Sequence, residues 1–358
     1  VLIAIAFFQF FVTIFKRELM MKGKAGRFFL TSIFVGIGPI LLILYFILVQ
    51  DMTVDGLFIG MLIPYVLLGS LAIILKSKQI FTRPKTSLMK RYLSFGSPLA
   101  FKTIAAKLIK GGDRIVIQTL LNSAAVGAYS FAYLITSALG MFLTKPFTSA
   151  VRPIIYKNEE KPKVLQKTVT NANQAILVSM SIVAIVFAFF IEYPLMMLVS
   201  NIEYLEYMPL VYLLSIAFVI QAAKTFTGTG IQLANKTMII MWITMVAGAT
   251  NIIFNLVLVS LYDVWGAAIA TVLIHLLMLF ANIHYSEKYH HLRYPRRRIM
   301  ILIATYSAMM IGFYIFQGII MDVVLKIALT LLYITLLWFF RILTKNNIMY
   351  AIRTIKKT

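Results

Sequence analysis

The chain has 358 residues, 61% of them hydrophobic and only 13% charged, with a formal charge of +22 and no cysteine. So apolar a composition excludes an ordinary water-soluble domain, and the lack of cysteine excludes a disulfide framework, a thiolate metal site and a cysteine nucleophile. The basic excess does not mark a nucleic-acid-binding module, because the Lys and Arg residues stand between apolar runs rather than on one face of a soluble domain.

Crossing a hydrocarbon core of about 30 Å takes about 20 apolar residues as a helix. The runs here are continuous and lack the alternation of barrel strands, so helices are the way to satisfy the backbone in lipid. Eleven spans are predicted, A to K, at roughly residues 1–16, 28–49, 56–75, 92–110, 124–144, 168–191, 207–233, 237–259, 264–285, 299–317 and 321–341. The chain opens at Val1 inside an apolar run with no charged region before it, so no signal peptide is visible and an N-terminal piece is expected to be missing.

Loop charge tests this count independently. The segments 16–27, 76–91, 145–167, 286–298 and 341–358 hold 27 of the 34 Lys and Arg residues, which assigns them to the cytoplasmic side. Four intervening loops carry acids and no Lys or Arg: Asp51 with Asp55, Glu192 with Glu203 and Glu206, Asp263, and Asp322. A miscounted helix would bring basic and acidic loops to one side. The basic run 157–167 serves as an orientation signal or lies along an anionic leaflet.

A faint internal repeat joins spans A–C to G–I. In each, a turn lysine, Lys24 or Lys236, precedes a long apolar helix, a Val-x-Gly at Val54–Gly56 or Val264–Gly266, and another helix. Transporters are often built from such repeats.

Span D is the chain's most unusual segment, with Lys102, Lys107 and Lys110 followed by Asp113 and Arg114. At 100° per residue these side chains fall within an arc of about 140°. Three lysines at that depth would cost roughly 8 to 10 kcal/mol in lipid unless they met water or anions. Two readings fit Lys102, Lys107 and Lys110: a hydrated cavity that attracts an anionic headgroup such as a diphosphate, or snorkelling to the interface. Asp113 and Arg114 read as a structural pair. Span G adds Gln221, Lys224, Thr225, Thr227 and Thr229 around Gly228 and Gly230. Lys224 is deep enough to need a partner or the same cavity, whereas Gly and Thr also serve helix packing. In span H, Asn251 and Asn255 are four apart on one face and read as interhelical hydrogen-bonding groups. Lys326 in span K reads as a snorkelling lysine. His275, His284, His290 and His291 form no metal signature, and no nucleophile or paired-carboxylate pattern occurs, so neither an enzyme nor a cofactor is expected.

The stretch YLSFGSPLAF…GGDRIVIQTLLNSAAVGAYSFAYLI, residues 92–135, resembles the seventh and eighth helices of polysaccharide flippases in the multidrug/oligosaccharidyl-lipid/polysaccharide (MOP) exporter superfamily. NIIFNLVLVSLYDVWGAAIAT, residues 251–271, resembles their eleventh and twelfth. Such Wzx-type O-antigen flippases commonly have fourteen helices, so the eleven spans would correspond to helices four to fourteen. The resemblance implies an all-α polytopic membrane protein of MATE-like two-lobe fold, lacking the first three helices: 1–91 as the remainder of an N-terminal lobe, 92–285 as a six-helix C-terminal lobe, and 286–358 as two additional helices and a basic tail. It implies flipping of an undecaprenyl-diphosphate-linked oligosaccharide across the bacterial cytoplasmic membrane by alternating access, with a polysaccharide polymerase and glycosyltransferases as partners. Positions 113 and 114 match the family's Asp-Arg pair. A lipid II flippase or a multidrug exporter of the same superfamily is the alternative, and a membrane enzyme such as an O-antigen polymerase is a further one.

Overall fold

Every predicted span falls on an α-helix, as expected of a chain that must satisfy its own backbone in lipid. The computed structural model describes residues 1–22, 24–80, 86–198, 207–290, 292–316 and 323–340. Glu203, Glu206, Asp322, His291 and the basic tail from 341 lie outside them, as do the side chains of Lys102 and Lys110. Seven helices among the described residues are long and apolar enough to cross a membrane. The helices of spans A and D are interrupted by charged residues, H and I run together in one helix, and K is short. The chain is a multi-pass, all-α membrane protein.

The chain divides into two compact units, Val1–Met89 and Lys90–Thr358. In the first, α1 (Leu2–Met21), α2 (Ala25–Leu48) and α3 (Val54–Ile80) pack on one another. Only 6% of the most apolar window of α2 is buried, and its Phe29, Leu30, Leu41 and Leu44 are exposed, as suits a face turned to lipid. Past the end of span A, Glu18 binds Lys22 at 2.6 Å and Lys76 at 2.5 Å. Hydrogen bonds from these two ammonium groups hold its carboxyl at about 2 against an ordinary 4.5. A lowered folded-state value means that the contribution is complete at neutral pH and fades only as pH falls from about 4.5 through 2.

The second unit begins within α4 (Thr86–Leu120), where the helix continues well past the predicted end of span D. The turn to α5 (Ser123–Leu139) is fixed by Asn122, whose side chain accepts from the Ala125 amide at 2.8 Å. A π-helical turn, Gly140–Thr144, leads into α6 (Lys145–Lys157), so the basic segment after span E is helical where a loop was expected. Then come α7 (Pro162–Phe190), α8 (Glu192–Leu198), α9 (Pro209–Lys224) and the short α10 (Thr229–Leu233). Span G is thus broken at residues 225–228. α11 (Thr237–His290) carries spans H and I across a kink at Tyr262 and Asp263, and α12 (Arg296–Phe316) and α13 (Val323–Phe339) close the unit. Span G is its central element, with 78% of its most apolar window buried, against α5, α7, α11 and α12.

Lys326 does not snorkel. It is 3% exposed, with Nζ 3.7 Å from Glu192 and 4.8 Å above the Tyr193 ring. An opposite charge and an aromatic face from α8 stand in for the water it has left.

The sequence repeat has a local counterpart. Asp51 and Asp263 both take left-handed backbone, with φ 51° and 50°, just ahead of the two Val-x-Gly turns. The glycine of each turn lies against the preceding helix. A Cβ on Gly56 would come within 3.0 Å of the Phe46 Cβ, and one on Gly266 would overlap the Leu258 carbonyl. The second obstacle is backbone, which has no rotamer to yield. Gly266→Ala should therefore lower stability by about 1–3 kcal/mol, read as a fall in the thermal midpoint in detergent, while Gly312→Ala, where a Cβ meets nothing within 4 Å, leaves it unchanged.

Candidate functional site

A cavity of about 620 Å³ opens within the second unit. Its walls are helical stripes, each repeating at three or four residues. α4 supplies Ala106, Ile109 and Asp113; the two arms of α11 supply Ile240 and Thr244, then Thr271, His275, Met278 and Asn282. Span G supplies Gln221 and Lys224 before its break, Thr225 and Gly228 within it, and Gln232 beyond it. α6 and the π turn before it contribute Thr144, Lys145, Thr148, Ser149 and Arg152.

At one edge of the cavity Asp113, 2% exposed, is held by four neutral side chains. Asn251 and Asn255 donate their amides to Oδ1 at 2.7 and 2.9 Å. The Tyr129 hydroxyl donates to Oδ2 at 3.0 Å, and the Thr271 hydroxyl lies 3.3 Å from the same oxygen. The kink makes this convergence possible. Asn255 and Thr271 are each eight residues from Asp263, so folding α11 back there brings them to one level. The Asn255 amide also bonds the Asn251 carbonyl oxygens of backbone and side chain, at 2.8 and 3.1 Å, which fixes its orientation.

Asp113 and Arg114 turn to different partners. One step along a helix rotates by about 100°, so Arg114 Nε meets Ser130 Oγ at 2.7 Å and its guanidinium sits 5.1 Å from the Tyr133 ring centre. Lys224 is partly buried and places Nζ 3.3 Å from Met278 Sδ. Gln221, one turn before it, faces the same space. Lys107 is exposed and does not line this cavity.

The geometry thus gathers Asp113, Gln221 and Lys224 around one space and brings Asn251 and Asn255 to Asp113. Sequence reasoning missed Tyr129, Thr271, His275, Lys145, Arg152 and Gln232. The series Thr271, His275, Met278, Asn282 runs at helical period through span I and was the available signal. Lys145 and Arg152 were read as loop charges. Among the described residues the lining holds three cations, Lys145, Arg152 and Lys224, against the single carboxylate of Asp113.

A family model described as polysaccharide biosynthesis protein matches residues 1–159. No curated protein matches the chain significantly. Among solved structures the chain is similar to "Lipid II flippase MurJ, inward closed conformation", with a TM-score of 0.63 and 13% identity, over 93% of this chain and 72% of that one. At that identity the likeness is one of fold, so the chain has a MurJ-like fold. The family match and this fold both agree with the flippase resemblance read from residues 92–135 and 251–271.

Removing one donor from Asp113 leaves a buried carboxylate short of a hydrogen bond. Asn255→Leu is expected to cost about 1–3 kcal/mol, measured as reduced thermal stability in detergent. The same change at the exposed Gln118 should cost nothing measurable.

Proposed function

We propose that this protein is a flippase that moves an undecaprenyl-diphosphate-linked oligosaccharide from the cytoplasmic to the outer leaflet of the bacterial cytoplasmic membrane, for cell-surface polysaccharide synthesis. The observation that carries the reading is a cavity lined by cations and hydroxyl and amide groups, lodged among helices whose outer faces are apolar. Charges are expensive inside a bilayer and persist where they meet water, partners or cargo. A sugar attached to a diphosphate asks for both kinds of lining: cations for the phosphates and neutral polar groups for the hydroxyls. The family match and the MurJ-like fold support the same class of activity.

Lys224 and Gln221 are assigned to the headgroup, one turn apart on α9. Lys107, exposed on α4, is assigned to the approach of the cargo, together with Lys102 and Lys110. Arg114 holds Tyr133, a lining residue, and so shapes the wall. Asp113 with Asn251 and Asn255 fastens α4 to α11, and any coupling of the transport cycle to an ion acts through this group. The C-terminus is assigned to the cytoplasm, a reading that the basic segments support. Alternating access carries the cargo, and a polysaccharide polymerase and glycosyltransferases are the proposed partners on either side of the step.

A multidrug exporter for cations would need acids in its cavity, and the one carboxylate among the described lining residues already has four hydrogen-bonding neighbours. A lipid II flippase carries the same diphosphate chemistry and differs in its sugar. The reading is that of a transporter rather than an enzyme.

The test is flipping of fluorescent lipid-linked oligosaccharide in proteoliposomes. Lys224→Gln should lower the initial rate at least tenfold while the protein remains folded, and rates equal to the unmodified protein would remove Lys224 from the site. A protein that moves a cationic dye and no lipid-linked sugar would be an exporter.

A further inference from the structure

The basic stretch after span E looks in sequence like an orientation signal, yet its helix aims inward. Lys145, Thr148, Ser149 and Arg152 of α6 lie three, four and seven residues apart on one stripe, and all four line the cavity. The other stripe, Phe147, Val151 and Ile155, is buried in the core of the second unit. With that apolar face covered by protein, α6 has none to lay into a lipid leaflet, as an interfacial anchor would. The aim is set one turn earlier. The π turn Gly140–Thr144 carries an extra residue, which rotates α6 by about 100° relative to a continuous helix, and such turns concentrate at functional sites.

Neither Lys145 nor Arg152 forms an ion pair among the described residues. No acid lies on their stripe, and Asp113, on another wall, already has its hydrogen-bonding neighbours. Among the described residues, these two cations therefore stand in the cavity with no counter-charge of their own. They are seven residues apart, about 10 Å along the axis, a distance that a flexible ammonium and a forked guanidinium can close around a two-phosphate group.

We propose that Lys145 and Arg152 form a phosphate-capture site that takes the diphosphate of the incoming cargo before it reaches Lys224 on the facing wall. This rests on the flippase reading above. The stripe supplies the first contact, and the hydroxyls of Thr148 and Ser149 between the two cations keep it free of negative charge. Capture by a separate pair of charges also explains why cations occur on two walls instead of one.

The experiment measures binding of geranyl diphosphate to the full chain in neutral phosphatidylcholine nanodiscs, by calorimetry at low and high salt. Lys145→Gln with Arg152→Gln should weaken binding at least tenfold and flatten its salt dependence. Lys163→Gln with Lys167→Gln, the same loss of charge outside the stripe, should leave binding unchanged. Thr148→Asp keeps both cations and should also weaken binding tenfold, so a folding defect in the double variant cannot decide the matter. Wild-type affinity in the stripe variants overturns the capture site. So does full competition by phosphatidylglycerol, which would make the stripe a site for bilayer headgroups. If binding follows the stripe but lipid-linked oligosaccharide is not flipped, the transport reading fails alone; if flipping proceeds normally in the stripe variants, the capture site fails alone.

Discussion

Much of the second unit is organised by the need to keep one buried carboxylate solvated by protein. Asp113 is 2% exposed, so its oxygens must find most of their donors in the protein. Those donors come from α5 and from both arms of α11. The chain has to bring three segments to one point on α4, and the kink at Asp263 and the Asn122 cap are what permit it. Apolar contacts among lipid-facing helices are nearly interchangeable, because lipid tails offer the same surface as leucine. A hydrogen-bonded acid is not interchangeable, and it specifies which helices meet and in which register.

The charges within the bundle sort by how each is compensated. Asp113 is satisfied by neutral dipoles, Lys326 by Glu192 and Tyr193, and Arg114 by Ser130 and the Tyr133 face. Lys145 and Arg152 have the cavity. Hydropathy treats all of these as interruptions of the same kind. The structure separates those that hold helices together from those turned toward a space large enough for a ligand.

The placement of the long helices was legible because an apolar run in lipid has to satisfy its own backbone and so forms a helix wherever it occurs. The pairing of Asn251 with Asn255 on one face was legible from their spacing alone. Their acceptor was not, since Asp113 lies 138 residues from Asn251 and no local pattern links the two. The inward aim of α6 was hidden for another reason: a basic, proline-containing stretch after an apolar run has the composition of a loop, and only the π turn decides where its stripe points. Lys107 illustrates the limit of helical-wheel reasoning. The wheel groups it with Asp113 on one broad arc, yet Asp113 is buried and Lys107 is exposed, because an arc of that width spans both a packed face and an open one.

The buried ion pair of the final helix bears on how the protein is made. α13 is apolar along its 17 residues except for Lys326, one turn from its start, and that single charge is the costly part of its entry into the bilayer. Glu192 is synthesised more than a hundred residues earlier, on the segment just after α7. When α13 leaves the ribosome the counter-charge is already in the membrane, and the helix can be admitted as one half of a pair. The energetic cost of inserting α13 thereby depends on an earlier segment: with α8 misplaced, Lys326 would enter the bilayer without its counter-charge.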